Sequence, residues 1–519
     1  MQLEHPKLWK WLAVVLVLSA VALFIVAKIV LSRATPILKG RVIETLSTRF
    51  ESKVELDQLN VSVFHGLEVS GGGLRIYPPD DVVAAGADHP LITVHDFRFR
   101  ADIMGLFIKP MHVSSVHVTG LSIYIPAREY RNQATQPKKR RGKIKITVGE
   151  ILCDDSQLVI GTAKPGKDPK TFDLKHVVMH DFGSNAAWPY DATLINAIPR
   201  GNIHAVGTFG PWNIESPGDS AVTGDYTFSD ADLGTIHGIG GMLDSTGKFT
   251  GQLDRIVVDG TADVPAFTLD TANHPVPLKT RFHAIVDGTS GDTYLQPVAA
   301  TLGTSQFTCA GSIVNIKGQG HMIDLDADIP AGEIRDFLSL AVKTQPPIMS
   351  GALNMKAKLN IPPGKQSVTQ KMALSGNFVL TRIHFTSAQV EDKVDMLSLR
   401  AQGKPGEAQP GAPDVLSQIR GTFNLKSGSM TFSQLNYKLP GATINLAGQY
   451  TLDGKKFDFA GKVRTDAKLS QMTATWWKSL MLKPVDPFFH KNGAGAEIPV
   501  KITGTNTAPK FGLDMGGKH

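Results

Sequence analysis

Two stretches decide the fold class: Ile323-Asp324-Leu325-Asp326-Ala327-Asp328-Ile329, and Leu353-Asn354-Met355-Lys356-Ala357-Lys358-Leu359-Asn360-Ile361. In both, apolar and polar residues alternate with a period of two, the period of a strand, whose successive side chains point to opposite faces. Each strand therefore has one oily and one wet face. An antiparallel sheet with a single covered face requires this, whereas strands of a buried parallel sheet are apolar on both faces. Ile323, Leu325, Ile329, Leu353, Met355, Leu359 and Ile361 are the candidate lining of the oily face.

The same period extends outward. Val54 and Leu56, Val61 and Val63, Leu67 and Val69, and Leu74 and Ile76 mark successive strands separated by polar or glycine turns. Phe457, Phe459 and Val463 repeat the pattern, and Val116 and Val118 fall out of phase with Leu121, Ile123 and Ile125 at Gly120, as a bulge would cause. Helical spacing is confined to Ile37–Phe50 after the cap-like Thr35-Pro36, and to Ala331–Ala341 and Ala467–Leu482, read as caps or lids. Gly-, Pro- and Lys-rich loops fall at Ala127–Gly142, Lys164–Lys170 and Gly403–Pro413. The 519 residues are 42% hydrophobic and 19% charged, with 50 Gly and 31 Pro, which excludes disorder and collagen and suits a turn-rich β protein.

Trp11–Leu31 reads WLAVVLVLSAVALFIVAKIVL, with Lys28 its only charge. At about 1.5 Å per residue it reaches roughly 31 Å, one hydrocarbon thickness. Trp11, Leu12, Val14, Val15, Leu16, Leu18, Leu23, Phe24, Ile25 and Val26 are the candidate anchor residues. The apolar core exceeds the roughly 7–15 residues of a signal-peptide core, so the stretch reads as an uncleaved membrane span. Lys7 and Lys10 precede it, and Lys28, Arg33, Lys39 and Arg41 lie at its other end. A long following domain translocates largely regardless of such charges, so charge alone leaves the orientation open.

Chemistry-bearing constellations are few. Cys153 and Cys309 are the only cysteines, too few for a thiolate metal site or a disulfide framework. His176 and His180 have the spacing of a zincin helix, but Val177 stands where its general-base Glu belongs, and DLKHVVMHD reads as a strand. Asp324, Asp326 and Asp328 lack the glycine and glutamate of a calcium loop and read as a solvated strand face. No nucleophile elbow, phosphate loop or dinucleotide fingerprint occurs, so an enzyme is not expected. No cofactor is expected either. Lys138, Lys139, Arg140, Arg141, Lys143 and Lys145 form the densest charge cluster, a candidate lipid-headgroup patch or a solvated loop. It lacks interleaved aromatics, and a net charge of +7 is modest for this length, so nucleic acid is a poor partner.

The two ends of the chain resemble AsmA-like proteins. Arg41–Tyr77 carries Arg49-Phe50, Val54-Glu55-Leu56, Val61-Ser62-Val63-Phe64, Gly66-Leu67 and Gly73-Leu74 where that family has them, and Asn492–Asp514 (NGAGAEIPVKITGTNTAPKFGLD) looks like its C-terminal signature. Ile146–Gly161 followed by TFDLKHV is similar too, while residues from about 200 to 410 match only in style. The resemblance implies an inner-membrane protein with a cytoplasmic N-terminus and a periplasmic bulk. It also implies an elongated, curved antiparallel β-sheet groove that binds phospholipid acyl chains and serves lipid transport to, and assembly of, the outer membrane.

The expected organisation is a cytoplasmic N-terminus (1–10), a transmembrane helix (11–31), a juxtamembrane amphipathic helix (32–53), a mainly β groove region with few short helices (54–410), and an AsmA-like C-terminal β region (411–519). Alternation alone does not separate an open groove from a closed β-sandwich, whose inner faces cover one another. The rival function is a periplasmic scaffold that binds outer-membrane assembly proteins through strand edges, without lipid.

Overall fold

The structure, a computed structural model, describes residues 36, 39–44, 46–48, 52–62, 67–78, 90–101, 111–125, 146–160, 170–183, 186–211, 217–236, 238–270, 274–343, 345–364, 366–411, 415–451, 456–474, 483, 495–505 and 508–513. The expected span at 11–31 and the basic stretch 138–145 lie outside these. Among the described residues no helix is long and apolar enough to cross a membrane. The protein is mainly β and divides into two units, residues 1–165, 169–195 and 204–224, and residues 166–168, 196–203 and 225–519.

In the first unit, β1 (Val54–Glu55) and β2 (Gln58–Ser62) both lie along β3 (Leu67–Ile76). The ladder continues antiparallel through β4 (Ile92–Ala101) and β5 (Met111–Ile125). β5 then pairs parallel with β6 (Ile146–Ile160), and β7 (Lys170–Phe182) and β8 (Trp188–Ala197) follow antiparallel. The parallel pair departs from the purely antiparallel expectation. Parallel neighbours need a crossover of a dozen or more residues, and the connection 126–145 has that length. Helical residues 39–44 and 46–48 precede the sheet, and Val42 and Ile43 pack on the core of Leu56, Leu59 and Val69.

Leu67–Ile76 is one strand rather than the two expected, because its glycine run is strand interior. At one crossing the ladder is interrupted in five neighbouring strands, at Gly73, His95, Gly120, Asp155 and Lys175, with the register unchanged across it from β3 to β7 and shifted by one residue between β7 and β8. On either side the pairs are Gly72 with Asp96 and Leu74 with Val94, then Thr119 with Asp96 and Leu121 with Val94. Val118 and Leu121, on either side of Gly120, pack on one core, which is the phase change expected there, but β4 and β5 keep a single register through it, so it is an aligned crease and not a two-against-one bulge. Gly73 (φ 69°) and Gly120 (φ 65°) adopt the left-handed backbone it requires. A Cβ on Gly73 would overlap the Asp57 carboxylate, and one on Gly120 would meet His95 Cβ at 2.8 Å.

Strands β9 (Arg200–Phe209) and β10 (Ala221–Asp232) are divided between the units. In the second unit, β11 (Ile239–Gly240) and β12 (Met242–Gln252) both pair with β13 (Arg255–Leu269). From there each strand pairs antiparallel with the next in sequence: β14 (Val276–Val286), β15 (Thr293–Leu302), β16 (Ser305–Ile316), β17 (Gly320–Glu333), β18 (Met349–Ile361), β19 (Ala373–Phe385) and β20 (Gln418–Lys426). The series ends with β21 (Ser429–Leu439), β22 (Ala442–Thr451), β23 (Lys456–Thr465), β24 (Ala496–Thr505) and β25 (Ala508–Leu513). Pro265, Pro297 and Pro330 sit where the ladder skips residues, the positions at which a missing backbone N–H costs no ladder bond.

Among the described residues, three helices interrupt this meander: α1 (Ile334–Ala341), α2 (Val368–Lys371) and α3 (Ala388–Ala401). α1 matches the helix expected at Ala331–Ala341, less its first turn, which belongs to β17. Of the helix expected at Ala467–Leu482, only a 3-10 turn at Leu469–Met472 is described, and residues 475–482 lie outside. α3 was not expected, although Val390, Val394, Leu397 and Ala401 carry its spacing.

Candidate functional site

The two stretches that decided the fold are adjacent strands in register. Ile323 faces Ile361, Leu325 faces Leu359, Ala327 faces Ala357 and Ile329 faces Met355. Their polar partners match as well, with Lys356 Nζ 3.0 Å from Asp328 and Lys358 Nζ 3.7 Å from Asp326. The carboxylates considered for calcium are thus held largely by lysines across the strand. An open hollow of about 480 Å³ on this part of the sheet includes both ion pairs in its walls.

The apolar face does not stop at these strands. One row of cross-strand neighbours runs Phe249, Val258, Ala284, Leu295, Gly311, Leu325, Leu359, Leu374, Leu425, Met430, Tyr450, Phe457, Gly504 and Pro509, one residue from each strand of β12–β25. A parallel row runs Ile329, Met355, Phe378, Gly421, Leu435, Leu446, Gly461 and Val500. No charged residue stands in either row. At about 4.8 Å between strands, the fourteen strands span roughly 60 Å.

Burial varies systematically along this face. Ile329, Leu353, Leu380 and Ile383 form a closed core, with Ile334 and Phe337 of α1 packed on it. Two of the candidate lining residues, Ile329 and Leu353, are therefore only 2% exposed, beneath a helix. Ile323, Leu325, Met355, Leu359 and Ile361 remain half-buried, as do Phe249, Leu295, Leu374, Met430, Leu446, Tyr450 and Phe457. Facing sheets of a sandwich interdigitate at interior density and would close over such side chains. A single sheet leaves them in this intermediate state.

Several rings pair across strands with glycine: Phe282 with Gly260, Phe378 with Gly421, and Phe459 with Gly448. A Cβ at Gly421 would come within 2.9 Å of the Phe378 ring, and one at Gly448 within 2.8 Å of Phe459. These rings lie over the backbone opposite instead of standing up from the sheet. Glycine at these positions keeps the face low, a device that sequence reasoning missed although the Gly-aromatic pattern carries it.

In the first unit, His176 lies in strand β7 and not in a helix. Asp154 bonds two rings, with Oδ1 2.7 Å from His176 Nδ1 and Oδ2 2.7 Å from His117 Nε2. The hydrogen bond from His176, then that from His117, holds the Asp154 carboxyl below the usual carboxylate range. His180 faces Glu150 across the ladder. Among the described residues no cluster of three or more His, Cys, Asp or Glu is disposed to hold a metal ion. Cys153 and Cys309 are free thiols; burial pushes the Cys153 thiol up to about 11 and raises that of Cys309. The candidate anchor residues, Trp11 through Val26, and the candidate headgroup patch, Lys138 through Lys145, lie outside the described residues. No family model, curated protein or solved structure matches this chain.

Proposed function

We propose that this chain is a membrane-anchored carrier of phospholipid acyl chains, which lie along the apolar face of β12–β25. In this reading residues 11–31 hold it in the inner membrane with its N-terminus in the cytoplasm. The periplasmic sheet contributes to lipid transport to, and assembly of, the outer membrane, as its resemblance to AsmA-like proteins implies. The observation that carries the reading is the charge-free apolar face running through fourteen strands, with Phe249, Leu295, Leu325, Leu359, Leu374, Met430, Tyr450 and Phe457 half-buried along it. Covering it with hydrocarbon gains about 0.8 kcal/mol per methylene taken from water. No single residue carries such a mechanism. A passive face lets lipid move only down its gradient, so net export depends on a gradient or a coupled partner.

Photo-crosslinking in the full-length, membrane-embedded protein tests this. A benzophenone side chain at Leu325, Leu359 or Leu374 should yield phospholipid adducts by mass spectrometry, and one at Thr246, Thr261 or Thr308, on the opposite face of β12, β13 and β16, should yield none. Equal lipid labelling of both faces, or protein adducts alone from the apolar positions, would overturn the proposal; the second result would favour the scaffold.

A further inference from the structure

The polar face of the second unit is electrically divided. Strands β12–β17 hold four Lys and Arg against seven acidic residues. Strands β18–β25 hold eleven against two. Strand parity puts ten of these eleven cations on the face opposite the apolar rows, the exception, Arg382, lying at a bulge of β19, and all eleven are exposed. Lys356 and Lys358 reach back to β17, while Lys462 and Arg464 share Glu497 at 2.9 and 3.2 Å. Arg420, Lys426, Lys438, Lys456, Lys501 and Lys510 have no carboxylate within ion-pair distance among the described residues.

We infer that the polar face of β18–β25 docks on a bilayer surface rich in anionic phospholipid. Charge complementarity selects an anionic occupant, and the layout selects a lipid surface over an acidic protein. The cations are spread singly among Thr422, Asn424, Asn436, Asn445 and Gln449, with no aromatic anchor beside them. A protein interface concentrates its affinity in buried aromatic and arginine anchors, whereas a fluid array of headgroups adjusts to scattered charges. The apolar stretch at 11–31, of bilayer length, makes a membrane the surface this chain meets. This docking does not depend on what occupies the apolar face.

The test uses the full-length protein in phosphatidylcholine nanodiscs, mixed with vesicles of phosphatidylcholine alone or with about one third phosphatidylglycerol. Binding should require phosphatidylglycerol and weaken with added NaCl. At about fivefold per cation, the Arg420→Gln/Lys438→Gln/Lys501→Gln/Lys510→Gln variant should bind on the order of a hundredfold more weakly or worse. Exchanging Arg and Lys at the same four sites should preserve binding within about twofold, which separates lost charge from a disturbed fold. Lys248→Gln/Lys279→Gln/Arg281→Gln should bind as the parent does. The basic stretch 138–145 is intact in every variant, so unchanged binding by the four-site glutamine variant would assign the attraction to that stretch and overturn the inference. Capture by polyglutamate without binding to the anionic vesicles would overturn it in favour of an acidic protein.

Discussion

Leu353 and Leu359 occupy the same strand and the same face six residues apart, yet one is closed under α1 and the other is half-buried. Removing a side chain from a closed core forfeits its transfer energy and leaves a cavity, whereas an open site has little cavity to leave. Leu353→Ala should therefore cost about 2–5 kcal/mol and Leu359→Ala about 1 kcal/mol or less, read from urea midpoints. Equal costs would mean that the face is covered. A second contrast lies at Glu55, whose carboxylate is 2.6 Å from Lys53 Nζ, 3.0 Å from Arg75 Nε and 3.2 Å from the Tyr77 hydroxyl. These groups, Lys53 first, lower its pKa to about 2. A carboxyl with a depressed folded-state pKa adds stability above its ordinary value near 4.5 and loses it as pH falls toward 2. Amide protection factors in β1 and β3, corrected for the intrinsic exchange rate at each pH, should fall across that window, and Glu55→Gln should remove this part of the fall.

Among the elements, α1 closes one end of β17–β18, and a single carboxylate ties it down. Asp336 Oδ2 accepts hydrogen bonds from the Thr304 backbone N–H, the Thr304 hydroxyl and the Ser305 hydroxyl, each 2.8 Å long. Ser305 is 1% exposed and its hydroxyl has only the longer bond to Glu333 O, 3.3 Å, to fall back on, so removing Asp336 weakens a buried hydrogen bond as well as loosening the helix. Asp336→Ala should cost about 2–3 kcal/mol and speed amide exchange at Thr304 ahead of the strands on either side. Unchanged protection there would show that apolar packing by Phe337 and Leu340 alone seats the helix. α3 is held by a different device: Asp395, 2% exposed, accepts from Val415 N–H at 3.0 Å, and Ser398 donates to Pro440 O at 2.7 Å. Such long-range polar ties explain why α3 was hard to see in the sequence. Its apolar spacing is diluted by Glu391, Asp392, Lys393 and Asp395, and Val390 stays 41% exposed.

At the scale of the whole molecule, strands were legible because period-two alternation is local, and the pairing of Asp326 with Lys358 and Asp328 with Lys356 was already spelled in complementary charge. What alternation does not encode is whether a second layer lies above the oily face; the half-buried state of Leu325, Leu359 and Leu374 expresses an absence of cover that no residue announces. Nor does it encode the parallel step from β5 to β6, which depends on where the chain crosses between 126 and 145. The division of charge between β12–β17 and β18–β25 emerges only when strands are assigned faces, since the net charge of +7 averages it away.

The crease in the first unit also sets rules for inheritance. Gly73, His95, Gly120, Asp155 and Lys175 each shift the phase of their strand by one residue at the same crossing. A lineage that deletes Gly120 alone turns Leu121 and Ile123 outward against neighbours that have not turned, because a one-residue slip exchanges the two faces. Loss of all five residues together restores every pairing and yields a flatter sheet. Length variation among descendants of this chain should therefore appear at these positions as a linked set, five distant codons gained or lost as one character.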